Sequence, residues 1–420
     1  MEKALLVTVE FFDKKYKGTW KLDDVNFELR ELVRSAGLQV VDLVECFREA
    51  PKAAHYIGKG KAEEIGLICK DKGADVVIFG DDLSSTQQQN LEDIMNVKVI
   101  DRTQLILDIF ARRARSIEGK VQVELAQLQY LLPRLKGKGI MLSRLGGGIG
   151  TSGPGEQKLE MDRRKIRDKI VKLKAELERI RARREELRRK RHESDLAIVS
   201  LIGYTNAGKS TLLNALTDSD VVAQDRLFST LDPTARRFIL PNHQKVVFVD
   251  TVGFLHNLPH HLIEAFKATL EEVVEADVLV HVLDASSPIV GELSQAVYEV
   301  LGELGIHDKP VVTILNKIDK IPDKSFVERL RKDFENSIPV SALHKENLGE
   351  LVQRISMILF ASLVYVKASI PQSEAKLLNQ VYREASIIKR EFKGDCVYLE
   401  ADMPARLKNL LDKKGFCDKL

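Results

Sequence analysis

Apolar positions in the first hundred residues fall in short dense runs, and between them the apolar residues recur every three or four positions. Leu5 to Val9, Leu38 to Val44, Val76 to Phe79 and Val97 to Ile100 read as buried strands; helices are predicted around Asn26 to Ala36, Lys61 to Asp71 and Ser84 to Met95. That alternation predicts a small parallel sheet with helices on its faces. The period then changes. Leu125, Leu128, Leu132 and Leu135 recur at heptad-like spacing, and Leu159, Ile166, Ile170, Leu173, Leu177, Ile180 and Leu187 keep the three-four spacing of a coiled-coil seam. With the glycine-rich segment Gly146 to Glu156 between them, the two stretches predict an antiparallel helical hairpin. From residue 196 the strand-helix alternation returns, with strands at Leu196 to Leu201, Val246 to Val249, Val278 to Leu283, Val311 to Leu315 and Ile338 to Val340, and helices including His261 to Glu275 and Gly291 to Leu304. A tail follows: strand Val364 to Ile370, helix Ser373 to Arg390, strand Cys396 to Leu399, helix Ala405 to Lys413. The expected architecture is α/β in four parts: an N-terminal α/β subdomain over 1–110, the hairpin with its glycine-rich tip over 111–194, a larger α/β domain over 195–363 and a small C-terminal α/β unit over 364–420.

Composition narrows the class. At 420 residues with 65 Lys and Arg against 62 Asp and Glu, the chain is near neutral, with room for two to three cored domains. No basic segment followed by a long apolar stretch stands at the N-terminus, and no apolar run approaches the length of a bilayer span, so export and membrane insertion are not expected. Cys46, Cys69, Cys396 and Cys417 are scattered without a Cys-x-x-Cys pair and read as reduced thiols of a cytoplasmic protein. The charge is unevenly distributed: from Arg163 to Arg191, fifteen Lys or Arg face five Asp or Glu, an excess of ten in a chain whose total is +3. A basic rod on an otherwise acidic protein suits an RNA backbone, and without aromatics in the rod the contact expected is with shape and phosphate.

The chemistry lies in the larger α/β domain. Gly203-Tyr204-Thr205-Asn206-Ala207-Gly208-Lys209-Ser210 is a Walker A loop after a predicted strand: its backbone N–H groups wrap phosphates at a helix N-terminus, Lys209 meets the β- and γ-phosphates, and the Ser210 hydroxyl ligates Mg²⁺. Asp250-Thr251-Val252-Gly253 follows a second strand, so that Asp250 can hold a Mg²⁺-bound water and the Gly253 N–H can reach the γ-phosphate as the trigger of a switch. Asn316-Lys317-Ile318-Asp319 follows a third strand; the Asp319 carboxylate can accept from guanine N1–H and the exocyclic amine, where adenine offers no such pair. Ser341-Ala342-Leu343 reads as a further base-contacting loop. A second hydroxyl for Mg²⁺ comes from Phe228-Ser229-Thr230-Leu231-Asp232-Pro233-Thr234, with Thr230 preferred over Thr234. Lys209, Thr230 and Gly253 are the expected catalytic residues. Ile57-Gly58-Lys59-Gly60-Lys61 lacks the context of a phosphate loop and reads as a turn before a helix.

Phe254 stands where many GTPases of the Ras type place a glutamine that orients the attacking water. Slow intrinsic hydrolysis, raised by a partner that binds the GTP form, is the expectation. Asn206 is a candidate K⁺ ligand beside the phosphates, against a structural loop asparagine.

These motifs, together with Asp101-Arg102-Thr103-Gln104, Leu107-Asp108-Ile109-Phe110 and Glu124-Leu125-Ala126-Gln127-Leu128, give a chain that resembles the HflX family of translation-factor-related P-loop GTPases over essentially its whole length. The resemblance implies a cytoplasmic GTPase that binds GTP and GDP. It also implies a partner, the large ribosomal subunit and its rRNA near the peptidyl-transferase centre, GTP hydrolysis stimulated by ribosomal particles, and the splitting or rescue of stalled ribosomes under stress. Away from the ribosome such a chain is expected to be a monomer. Ser152 departs from the arginine many relatives carry in the glycine loop, and Gln157-Lys158 from their Thr-Gln. Two readings of other classes stand beside this one: an ATP-dependent RNA-remodelling enzyme using the same basic rod, and a GTP-gated scaffold for a protein partner.

Overall fold

The computed structural model describes residues 2–16, 20–135, 154–193, 196–217, 233–242, 244–255, 271–361 and 363–416. Four expected features lie wholly or partly outside them: residues 146–153 of the glycine segment, the five residues Phe228, Ser229, Thr230, Leu231 and Asp232, the helix from His261 as far as residue 270, and Cys417.

The first unit is a four-stranded parallel sheet in the order β2-β1-β3-β4, built from β1 (Lys3–Phe11), β2 (Gln39–Arg48), β3 (Val76–Phe79) and β4 (Lys98–Ile100). Helices α1 (Leu22–Ser35), α2 (Lys59–Lys72), α3 (Ser85–Met95) and α4 (Arg102–Arg113) connect and cover it. Successive residues of β1 divide between two cores because side chains alternate across a strand: Ala4 and Leu6 join Leu29, Leu32 and Phe110, whereas Leu5 and Val7 join Ile65, Phe79 and Leu91. The helix starts follow local chemistry. Ser84 and Gln87 form a reciprocal capping box on α3, and Asp101 accepts from the Gln104 N–H to cap α4.

Helix α5 (Ile117–Arg134) has two apolar faces. Val123, Ala126 and Tyr130 enter the first core, while Val121, Leu125 and Leu128 pack on Ile170, Leu173 and Leu177 of α6 (Pro154–Glu193). Among the described residues the seam takes in Val121, which the heptad spacing does not mark, together with Leu125 and Leu128. The hairpin is thus rooted in the core of the first unit, and Glu124 pairs with Lys169 beside the seam.

The larger domain is a six-stranded sheet in the order β10-β9-β8-β5-β7-β6. Its strands are β5 (Ala197–Gly203), β6 (Thr234–Ile239), β7 (Lys245–Asp250), β8 (Val278–Asp284), β9 (Val311–Asn316) and β10 (Ile338–Pro339); all pairings are parallel except that of β6 with β7. Helices α7 (Lys209–Thr217) and α10 (Leu348–Ala361) cover one face through Leu212, Leu213, Leu351 and Ile355; α8 (Val290–Glu303) covers the other through Val297 and Leu301, and α9 (Lys324–Asp333) follows β9. Burial on both faces explains why these strands are almost continuously apolar. Helices on the faces leave the C-terminal strand ends open, which is where β5, β7 and β9 deliver Gly203, Asp250 and Asn316. Tyr204, Val252, Leu255 and Ala296 of this domain share a core with Leu29, Leu105 and Phe110 of the first unit.

The tail departs from expectation. The helix predicted from Ser373 to Arg390 is shorter, α11 (Ala375–Glu384), and Ser386–Lys393 is a strand, β12. It joins the antiparallel sheet β11-β13-β12 with β11 (Leu363–Pro371) and β13 (Cys396–Pro404), while α11 and α12 (Ala405–Lys413) cover one face. Pairing with β13 overrode a helix reading: Lys389 and Glu391 stand opposite Glu400 and Tyr398 in the antiparallel ladder. No helix among the described residues is long and apolar enough to cross a membrane.

Candidate guanine-nucleotide site

At the end of β5 the chain turns through Gly203 to Gly208 into α7, so the first turn of α7 aims its free N–H groups into the loop. Gly208 has φ +97°, and a Cβ there would lie 2.3 Å from Asn316 Nδ2; both the backbone angle and the approach of β9 require glycine. Asn206 is also in the left-handed region, at φ 64°. Lys209, the first residue of α7, is buried, and its ammonium donates to the carbonyls of Gly203 (3.0 Å) and Tyr204 (2.8 Å). Burial draws its pKa down to about 8, although Asp250 pulls it up; Lys317 adds to the depression. Phosphate oxygens are stronger acceptors for this ammonium than the two carbonyls, and their charge would restore its proton affinity.

The Ser210 hydroxyl donates to Asp250 Oδ2 at 2.6 Å, with both residues buried. One hydroxyl and one carboxylate are the hard oxygen donors that suit Mg²⁺, which completes its octahedron with water and phosphate oxygens, so the residues present fit the ion. Among the described residues no group of three or more His, Cys, Asp or Glu could hold a metal by itself. Thr251 donates to the Leu201 carbonyl at 2.6 Å, and Val252 is buried in the core shared with the first unit. Gly253 passes so close to the loop that a Cβ would stand 2.7 Å from Thr205 Cα and 3.0 Å from Lys209 Nζ. Phe254 is 1% exposed and packs with Ile198, Ile202, Val249 and Val273 under the sheet, so its ring points away from the loop.

Asn316 ties two loops together: its Nδ2 donates to the Ala207 carbonyl (2.9 Å), and its Oδ1 accepts from the Ala342 N–H (3.0 Å). Lys317, at φ 62°, pairs with Asp284 at the end of β8 (2.7 Å). Ile318 opens a short 3₁₀ turn to Lys320 that carries Asp319, whose carboxylate accepts from the Ser341 hydroxyl at 2.6 Å. Leu343 is 68% exposed beside them. The three sequence motifs and the Ser341 loop therefore meet at one edge of the sheet. Thr230 lies outside the described residues; the alternative, Thr234, opens β6 in register with Asp250.

Some residues here escaped sequence reasoning. Asp284 follows an apolar strand with no motif around it, and only its spacing from Lys317 in the folded sheet gives it a role. Glu28, which accepts from the Tyr204 hydroxyl across 176 positions, had no local signal at all.

Three family models match in order: "GTP-binding GTPase N-terminal" over residues 24–111, "GTP-binding GTPase Middle Region" over 113–191 and "50S ribosome-binding GTPase" over 198–317. The chain is 46% identical to the GTPase HflX of Lacrimispora saccharolytica over 97% of its own length and 94% of that protein's. Against the GTPase HflX of Caldanaerobacter subterraneus identity is 45%, covering 91% and 88%, and against that of Escherichia coli 42%, covering 96% and 94%. The chain belongs to the HflX family of GTPases. As an HflX GTPase it binds guanine nucleotide and hydrolyses GTP to GDP and phosphate. Among solved structures, a complex of SsGBP with GDP is similar at 28% identity and a TM-score of 0.47, covering 85% of this chain and 98% of that one.

Proposed function

We propose that the chain acts on ribosomes: with GTP bound, it associates with the large subunit through the basic hairpin, splits or rescues stalled particles, and leaves once GTP is hydrolysed. The loop Gly203 to Ser210 would take the phosphates with Lys209 on the β- and γ-phosphates, Ser210, Thr230 and Asp250 would hold Mg²⁺, the last of them through water, and the Gly253 N–H would meet the γ-phosphate. Mg²⁺ in that position neutralises charge on the phosphates. Asp319 reads the guanine edge, with Ser341, Ala342 and Leu343 beside the base. The four-part division at residues 110, 194 and 363 belongs to the same reading.

One observation carries the ribosome part. Arg164, Lys172, Lys174, Arg179 and Arg183 of α6 are exposed and have no ion pair among the described residues, although the same helix pairs Arg163, Arg167 and Arg181 with acids. A row of uncompensated cations on a stiff rod attracts a polyphosphate backbone. The family description of the G domain as that of a 50S ribosome-binding GTPase supports the same partner. Sedimentation with purified large subunits tests it. Binding with a non-hydrolysable GTP analogue should exceed binding with GDP, and should fall roughly 10-fold or more over a fourfold rise in salt, with Lys172→Glu plus Lys174→Glu reproducing the loss. Binding indifferent to salt and nucleotide would favour a scaffold for a protein partner.

Phe254 supports slow intrinsic turnover, because a buried phenyl ring cannot orient water and the ribosome must supply what does. Asn206 adds an ion to the reading: its side-chain carbonyl oxygen would hold K⁺ beside the phosphates. Equal turnover in K⁺ and Na⁺ would remove that role.

A further inference from the structure

Tyr204 joins two parts of the molecule. Its side chain is buried, its ring centroid lies 6.0 Å from that of Trp20, and its hydroxyl donates to Glu28 Oε1 on α1. Glu28 is 5% exposed, and its other carboxylate oxygen lies 2.6 Å from Arg102 on α4. The neighbouring Asp101, fully buried, accepts from the Tyr130 hydroxyl (2.8 Å) and from Arg134 (2.9 Å), both on α5 at the root of the hairpin. On the other side of Tyr204 the contacts are all backbone. Its carbonyl takes the Lys209 ammonium at 2.8 Å, and the flanking peptides bond to Phe254: the Thr205 N–H donates to the Phe254 carbonyl (2.9 Å) and the Phe254 N–H to the Gly203 carbonyl (3.1 Å). One residue thus touches the phosphate-loop lysine and the chain after Gly253 with its backbone, and the first unit with its side chain.

A tyrosine that only filled a contact between units would need no charged partner, and a buried ion pair is a poor way to add stability because desolvation offsets the attraction. What such a pair does well is fix one arrangement over its neighbours. Phosphate in the loop would compete with the Tyr204 carbonyl for Lys209 and would engage Gly253, the residue before Phe254, so the peptide groups on both sides of Tyr204 lie next to both changes. We propose that Tyr204 is a positioning residue whose hydroxyl, held by Glu28 and Arg102, transmits the state of the phosphate loop to the first unit and to the hairpin rooted in it. This rests on the reading above, in which the hairpin answers to nucleotide. It adds reciprocity: whatever holds the hairpin changes nucleotide affinity by the factor that nucleotide changes its grip.

Hydrogen exchange on the full chain tests the relay, without nucleotide, with GDP, and with Mg²⁺ and a non-hydrolysable GTP analogue. The variant is Tyr204→Phe, which keeps the ring against Trp20 and every backbone bond. In the parent, loading should slow exchange about tenfold at amides of α1 (residues 29–33) and α4 (105–110), far from the nucleotide. In Tyr204→Phe that transfer should drop below about threefold, with parent and variant each compared at a nucleotide concentration that saturates it. Equal transfer in parent and variant overturns the proposal, as does a parent whose α1 and α4 ignore loading. Should the variant fold poorly, Glu28→Gln with Arg102→Met removes both buried charges together, and the same two outcomes decide. No ribosome enters the experiment, so failure of the relay and failure of the ribosomal reading are seen separately.

Discussion

In the proposed reading the choice of base rests on a single carboxylate, Asp319, which accepts from the Ser341 hydroxyl at 2.6 Å. Asp319→Asn keeps the shape and the serine bond but replaces one acceptor by a donor, which suits the O2 of xanthine where guanine has an amine. Competition binding should show GDP affinity falling roughly 30-fold or more, the scale of a lost charged hydrogen bond, with xanthosine diphosphate now preferred. Unchanged selectivity would mean that the base lies elsewhere. That these motifs would meet at one edge of the sheet was legible in the sequence because each is contiguous and follows a strand: Lys209 and Ser210, Asp250 and Gly253, Asn316 and Asp319. Glu28, Arg102 and Asp284 were not, since nothing near them marks the partners that folding brings within reach.

Among elements, the strands of the two parallel sheets could be read directly, because strands buried on both faces must be apolar throughout. The tail was harder. Ser386–Lys393 has its apolar residues at Ile387, Ile388 and Phe392, in no two-residue alternation, and follows a helix without a glycine or proline break, so only its pairing with β13 decides. Val121 of the hairpin seam was missed for a related reason: α5 serves two cores, so its apolar positions do not follow one heptad. Strand β8 holds an element-scale oddity in His281, which is buried against Tyr298 in a T-shaped contact with centroids 5.2 Å apart; its Nε2 finds no hydrogen-bond partner among the described residues. Burial lowers its pKa to about 4, with Lys209 adding to the shift. The unfolded chain therefore binds a proton near pH 6.5 that the folded chain refuses until about pH 4, so stability is complete above that window and falls as pH drops through it. By pH 5 the loss from this group is about 2 kcal/mol. Urea unfolding at pH 7 and pH 5 should show a smaller acid loss in His281→Leu than in the parent; equal losses would mean that His281 is protonated in the fold.

At the scale of the molecule, the division of charge is the main feature. In a chain of net charge +3 the basic helix α6 packs on α5, α5 is packed in the core of the first unit, and that core also takes in Tyr204, Val252 and Leu255 of the G domain. Such continuity was hidden in the sequence, where hairpin and sheet look like successive independent parts. It ties the phosphate loop, the first unit and the root of the hairpin into one packed core, as the proposed nucleotide-controlled grip on RNA requires. The most direct test is GTP turnover by the purified chain with Mg²⁺ and K⁺, measured with and without purified large ribosomal subunits. The account predicts slow turnover alone and a rise of about tenfold or more with subunits, weakening as salt is raised. Turnover that is the same with and without subunits at every salt concentration would contradict it.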